Sequence, residues 1–154
     1  VKPEDLQNEI ALEDDGVWIR LEVKPGRWMR VRLRAQQSDE VQRAFRQATA
    51  RFRVQLDSKK TDPESQAARD RAIVCRLYMM LRAAVIEIED FDLKSYADEI
   101  FAFPPLDTDE PDLAQRKWGK LRTALLKGWE VWDQQAAEVL AEAGKGQPPL
   151  FEDA

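Results

Sequence analysis

Histidine is absent from this 154-residue chain, and Cys75 is its one cysteine. No Ser-His or Cys-His nucleophile pair can form, and no histidine- or thiolate-based zinc site. What remains is carboxylate chemistry, densest in Asp107-Thr108-Asp109-Glu110-Pro111-Asp112. An EF-hand reading fails there. Pro111 takes the third acidic position, Asp112 stands where the turn glycine belongs, and the twelfth position is Trp118. The run reads instead as a solvated linker whose acids favour the N-terminus of the helix that follows. Paired carboxylates for glycoside hydrolysis are compatible with the sequence, but no aromatic-rich cleft signature supports them. The expectation is a protein that is not an enzyme and carries no metal or cofactor. Cys75, among Ile73, Val74 and Leu77, reads as a small buried hydrophobe.

Binding chemistry is better represented. Residues 17–53 hold ten cations against three carboxylates, whereas residues 87–112 hold ten carboxylates against Lys94 alone. In the basic segment, Trp18, Arg20, Trp28, Arg30, Arg32 and Arg34 share one face of an alternating pattern. Arginines beside aromatics on an exposed sheet face suit single-stranded nucleic acid, through phosphate contacts and base stacking. The chain as a whole is acidic, with a net charge of −5, and domains that bind nucleic acid are usually basic. Nucleic acid is therefore the lesser reading. The polarity fits a protein interface better, either with a partner or by self-association. Its candidate residues are those six together with Asp107, Asp109, Glu110 and Asp112.

A second candidate lies at the C-terminal end, in Gln147-Pro148-Pro149-Leu150-Phe151-Glu152-Asp153-Ala154. Gln147, Leu150 and Phe151 form a Gln-x-x-Leu-Phe pattern that resembles the short peptides by which bacterial proteins dock on the polymerase sliding clamp. The prolines lower the ordering entropy of such a peptide. The alternative is an apolar tail that folds back onto its own domain.

The elements that position these groups follow from periodicity. Val17-Trp18-Ile19-Arg20-Leu21-Glu22-Val23 and Trp28-Met29-Arg30-Val31-Arg32-Leu33-Arg34 alternate with period two, the mark of half-buried strands. Between them, Lys24-Pro25-Gly26-Arg27 suits a type II turn, so residues 17–35 read as a hairpin. Ser38 is the N-cap of a helix whose apolar positions are Val41, Phe45, Ala48, Phe52 and Leu56, with Asp39 and Glu40 in its first turn. A loop at Lys59-Lys60-Thr61 leads to a capping box, Thr61-Asp62-Pro63-Glu64. The helix it opens has apolar residues from Ile73 to Val85 on more than one stripe, which predicts a central, heavily buried position. Its Arg69, Arg71, Arg76 and Arg82 are expected to snorkel or to pair with acids. Val85-Ile86-Glu87-Ile88-Glu89 alternates again, as a short third strand or as the end of that helix.

A short helix over Ser95 to Phe103 stops at Pro104-Pro105. The last helix is expected from about Pro111 to Ala143, with Trp118, Leu121, Leu125, Trp129, Trp132, Ala136 and Val139 along one face. Those tryptophans read as core, with an exposed anchor as the alternative. Gly119 and Gly128 in this helix allow either a close approach or a break, and Gly144 is a natural stop. The expected fold class is α+β and mainly helical: an N-terminal hairpin, with or without the third strand, packed on about four helices. One domain spans 1–143 and a flexible tail spans 144–154. No run is long enough for a membrane span, and the N-terminal residues lack the apolar core of a signal peptide. With one cysteine, the cytoplasm is the default location.

This order of elements resembles the tail assembly chaperone-like proteins of tailed phages. The likeness runs from Asp15-Gly16-Val17-Trp18-Ile19 through Met29-Arg30-Val31-Arg32-Leu33-Arg34 into the helix from Ser38, and more faintly beyond. Phe91 stands near the place where members carry a Trp after the central helix, and the acidic loop and last helix are longer. The resemblance implies a non-enzymatic role in which the protein binds a tape-measure or tail-tube protein. The rival reading is a phage-encoded inhibitor of a host or defence complex, anti-CRISPR-like, whose acidic residues 87–112 imitate nucleic acid.

Overall fold

The computed structural model describes residues 13–104 and 116–145. Strands β1 (Val17–Lys24) and β2 (Arg27–Leu33) form the expected hairpin, with Gly26 at φ 75° in the turn. Strand β3 (Val85–Ile88) pairs antiparallel with the far edge of β2, which makes β2 the central strand of three. Of the two readings of residues 85–89, the strand holds. Val85 already has extended φ/ψ, and the run is β-branched where it meets β2.

Between β2 and β3 the chain makes a helical excursion: α1 (Asp39–Arg51), α2 (Arg53–Leu56) and α3 (Pro63–Ala84). Ser38 caps α1 by accepting from the Val41 N–H. The helix ends sooner than its apolar period suggests. Phe52 leaves helical geometry (φ −106°, ψ 20°), and its buried ring packs edge-on against Phe103, 5.7 Å between centroids. The cap of α3 is Asp62 and not Thr61: the Asp62 carboxylate accepts from the Ser65 N–H at 3.0 Å, with Pro63 at the first helical position.

Nor is α3 heavily buried. Only Ala72, Cys75, Leu81 and Ala84 are, and Ile73 is half-exposed, because α3 packs on α1 along one flank and meets the sheet only at its end. Among the described residues, Arg82 is the one of its arginines that pairs with an acid, Asp98, at 2.7 Å. Arg69 donates to the Ser58 and Lys60 carbonyls, Arg71 to the Pro104 carbonyl, and Arg76 lies over the Phe45 ring.

After β3, α4 (Leu93–Ile100) is capped by Asp92. The last helix, α5 (Gly119–Lys145), crosses the inner face of the sheet and runs on through Gly144. Its buried Leu125, Trp129, Trp132 and Ala136 join Ile19, Leu21, Val31 and Leu33 in the main core. Val139, expected on that face, is exposed. A smaller cluster of Ala48, Phe52, Ala72 and Cys75 joins α1 to α3, and burial pushes the Cys75 thiol pKa up. No helix among the described residues is long and apolar enough to cross a membrane.

Gly128 is where helix and sheet come closest. A Cβ there would stand 2.9 Å from Leu33 Cδ2 and 3.3 Å from Leu21 Cδ1, whereas one at Gly119 would meet nothing within 4 Å. Gly128→Val should therefore lower the unfolding free energy by about 2–3 kcal/mol through overpacking. Gly119→Ala should be neutral or gain up to about 1 kcal/mol from helix propensity. Urea denaturation of the pair checks both.

The Ser65 hydroxyl and backbone N–H hold the Asp62 carboxyl below its ordinary pKa of 3.8. Folding thus favours the ionised form. The stabilisation is complete above the ordinary value and is lost as pH falls through the lowered, folded one. Asp62→Asn keeps a cap acceptor but should flatten the acid limb of a plot of urea midpoint against pH. An unchanged slope would contradict the assignment.

Candidate functional site

The outer face of the sheet carries the aromatic and charged positions, because side chains alternate across each strand. Pairing sets them in rows. Trp18 lies opposite Arg32, which lies opposite Glu87; Arg20 lies opposite Arg30; Glu22 lies opposite Trp28. The Arg30 carbonyl accepts from the Glu89 N–H at 2.9 Å, so Glu89 extends the middle row.

Arg20 directly across from Arg30 is a like-charge pair, which on its own destabilises a hairpin. Both guanidinium groups turn along the diagonal. Arg20 sits over the Trp28 ring, 5.0 Å from its centroid, and Arg30 over the Trp18 ring at 5.1 Å. Each stack contributes about 0.5–1 kcal/mol at an exposed site. Arg30 also pairs with Glu89 at 3.3 Å and Arg32 with Glu87 at 3.4 Å. These exposed ion pairs stabilise little, about 0–1 kcal/mol each. Their larger effect is on the field. The face holds Arg20, Arg30 and Arg32 against Glu22, Glu87 and Glu89, and these charges cancel.

Arg34, expected beside the other arginines, belongs to the frame. It is half-buried, with Nε donating to the Asp14 carbonyl and Nη1 to the Ala83 carbonyl, both at 2.7 Å. Arg32 Nε likewise donates to the Asp15 carbonyl at 2.9 Å. Trp18, Arg20, Trp28, Arg30 and Arg32 thus come together as expected, and Trp28 is 55% exposed. Asp107, Asp109, Glu110 and Asp112 lie outside the described residues, as do Gln147, Leu150 and Phe151.

Acids of the 87–112 segment within the described residues are largely engaged. Glu87 and Glu89 pair with β2, Asp92 caps α4, Asp98 holds Arg82, and Glu99 accepts from the Trp118 indole at 3.2 Å. Basic and acidic segments therefore meet within one subunit, through β3. Glu87 and Glu89 could have been assigned to this face from the alternation of residues 85–89.

Gln135 gave no such signal. From α5 its side-chain Oε1 accepts from the Arg20 N–H at 3.0 Å and its Nε2 donates to the Arg20 carbonyl at 3.2 Å. The amide imitates a neighbouring strand residue and occupies the middle of the free β1 edge. Beside it, Arg20, Trp28, Lys127 and Glu138 line a hollow of about 540 Å³ between β1 and α5. Its two cations, Arg20 and Lys127, face two acids, Glu22 and Glu138, so this hollow has no net polarity. Among the described residues, no group of His, Cys, Asp or Glu could hold a metal ion.

Gln135→Ala should cost about 0.5–1.5 kcal/mol for the two partly exposed hydrogen bonds. It should also speed amide exchange at Arg20 ahead of its strand neighbours, as hydrogen-exchange NMR would show. Uniform exchange across β1 would mean that the edge is closed by something other than this amide.

No known protein family, curated protein or solved structure matches the chain.

Proposed function

We propose that the outer sheet face is a protein-docking surface, and that the chain is a non-enzymatic binding protein of phage tail assembly, like the chaperones it resembles. The observation that carries this reading is the pairing of an exposed Trp28 with the Arg20 guanidinium stacked on it, within a face whose charges cancel. Trp and Arg are the residues enriched in interface hot spots. A neutral face lacks the phosphate-driven attraction that dominates nucleic-acid binding. The pairing of Glu87, Glu89 and Asp98 with arginines of the same chain, at the surface, speaks against an acidic imitation of nucleic acid. The tail-assembly context rests on the sequence resemblance alone, which points to a tape-measure or tail-tube protein as the partner.

A photo-crosslinking amino acid at position 28, followed by mass spectrometry of the adducts formed in the producing cell, tests this directly. Adducts with a tail-tube or tape-measure protein are expected. Adducts with a nuclease or defence protein would overturn the assembly role in favour of inhibition. With the partner in hand, Trp28→Ala should weaken binding at least tenfold, about 1.4 kcal/mol. No single-stranded nucleic acid should shift in a gel even at about 50 mM salt, where phosphate contacts are strongest.

A further inference from the structure

On the other side of the sheet, at the hairpin end, a second hollow of about 460 Å³ opens beside the start of α5. Its floor is apolar: Val23, Met29, Ile88, Phe91, Trp118 and Leu121. Its rim consists of Lys24, Arg116, Lys117 and Lys120, and among the described residues no carboxylate lines it. Lys117 lies over the Trp118 ring at 5.2 Å and reaches Glu99 only at 4.0 Å. Among the described residues four cations line this apolar floor, and Glu99, paired with Lys117 and bonded to the Trp118 indole, is the acid beside them, a cationic excess in a chain of net charge −5. The site suits a segment that presents a large apolar anchor next to negative charge and carries no cation of its own.

We infer that this hollow receives the C-terminal segment of a second copy of the chain, with Leu150 and Phe151 on the apolar floor and Glu152 and Asp153 against the lysine rim. Residues 146–154 contain those two apolar and two acidic residues in immediate succession and no Lys or Arg. Pro148 and Pro149 limit the conformations that must be ordered on docking. Reach makes the contact intermolecular. Leu150 follows Lys145 by five residues, at most about 18 Å of extended chain. Lys120 lies 25 residues back along α5, about 38 Å away along the helix. A copy therefore cannot place its own Leu150 in its own hollow. This surface is separate from the outer sheet face and does not depend on the function proposed for that face.

Sedimentation velocity of the full chain tests the contact. The weight-average sedimentation coefficient should rise with concentration between about 1 μM and about 1 mM, the range of a modest interface, and less so at about 0.5 M salt. Leu150→Ala/Phe151→Ala, which changes only the tail, should stay monomeric. So should Lys24→Glu/Lys120→Glu, which changes only exposed rim residues and should keep the parent circular dichroism. Mixed one to one, the two variants should associate again, since one supplies an intact hollow and the other an intact tail. A parent that is monomeric throughout, tail variants that associate like the parent, or a mixture that stays monomeric would each overturn the inference. The last two outcomes would hand the hollow to another segment of the chain or to a different partner.

Discussion

Helix α5 crosses the sheet at its closest approach where Gly128 has no side chain. The methyl groups of Leu21 and Leu33 enter the space a Cβ would need. At that spacing, the two tryptophans beyond the glycine reach the end of β2. The Trp129 indole N–H donates to the Arg34 carbonyl at 3.1 Å, and the Trp132 indole N–H to the Leu33 carbonyl at 2.6 Å. The chain leaves the sheet at this point, and several other contacts converge on it. The Arg34 N–H meets the Ala84 carbonyl, the Ala35 N–H meets the Glu13 carbonyl, and the Arg34 guanidinium spans Asp14 and Ala83. The start of β1, the entry to α1 and the exit of α3 are thus tied at one corner. A helical excursion of some fifty residues returns to the sheet there, and β3 pairs with β2 as a consequence.

With α5 on one side, the apolar side chains of the strands point there and the opposite face is left to polar and aromatic groups. Strand pairing then forces a difficulty, since Arg20 and Arg30 must stand opposite each other. The resolution lies within the face itself. Diagonal stacking on Trp28 and Trp18 moves each guanidinium away from the other, and β3 supplies Glu87 and Glu89 from beyond the central strand. The third strand therefore completes the electrostatics of the face as well as the sheet.

Period two exposed this much of the design in advance. The hairpin, its turn, the Trp/Arg face and the tryptophan side of the last helix were all legible, because each depends on local alternation or helical spacing. Features that depend on tertiary contact were not. Phe52 interrupts α1 and meets Phe103, a residue 51 positions away. The breadth of apolar positions on α3 suggested a central helix, but several are only half-buried along the flank against α1. Arg34 continued the alternation and so was grouped with the face. Lying one residue past β2, it turns instead to backbone carbonyls that no pattern in the sequence announces. Gln135 is the extreme case, a single polar residue on a long helix whose role exists only because β1 has an open edge.

The balance of charge on the outer face bears directly on what can bind there. A sequence count places seven excess cations between residues 17 and 53, and that count alone favours a polyanion. Distribution in space weakens that inference: Lys24, Arg27, Arg34 and the helices α1 and α2 carry five of the seven, and Glu87 and Glu89 offset the two on the face, which sums to zero. Attraction then has to come from burial of the indole surfaces, with Arg20 and Arg30 as partly pre-ordered donors. Because the stacks already hold Trp18 and Trp28 against neighbouring strands, little rotamer freedom remains to be lost on docking. A neutral face with fixed aromatic anchors favours a partner whose shape matches it over one that merely carries charge. The cation-rimmed hollow at the hairpin end has the opposite character, with charge at its rim, and it opens on the other side of the same strands. The two surfaces share no residue.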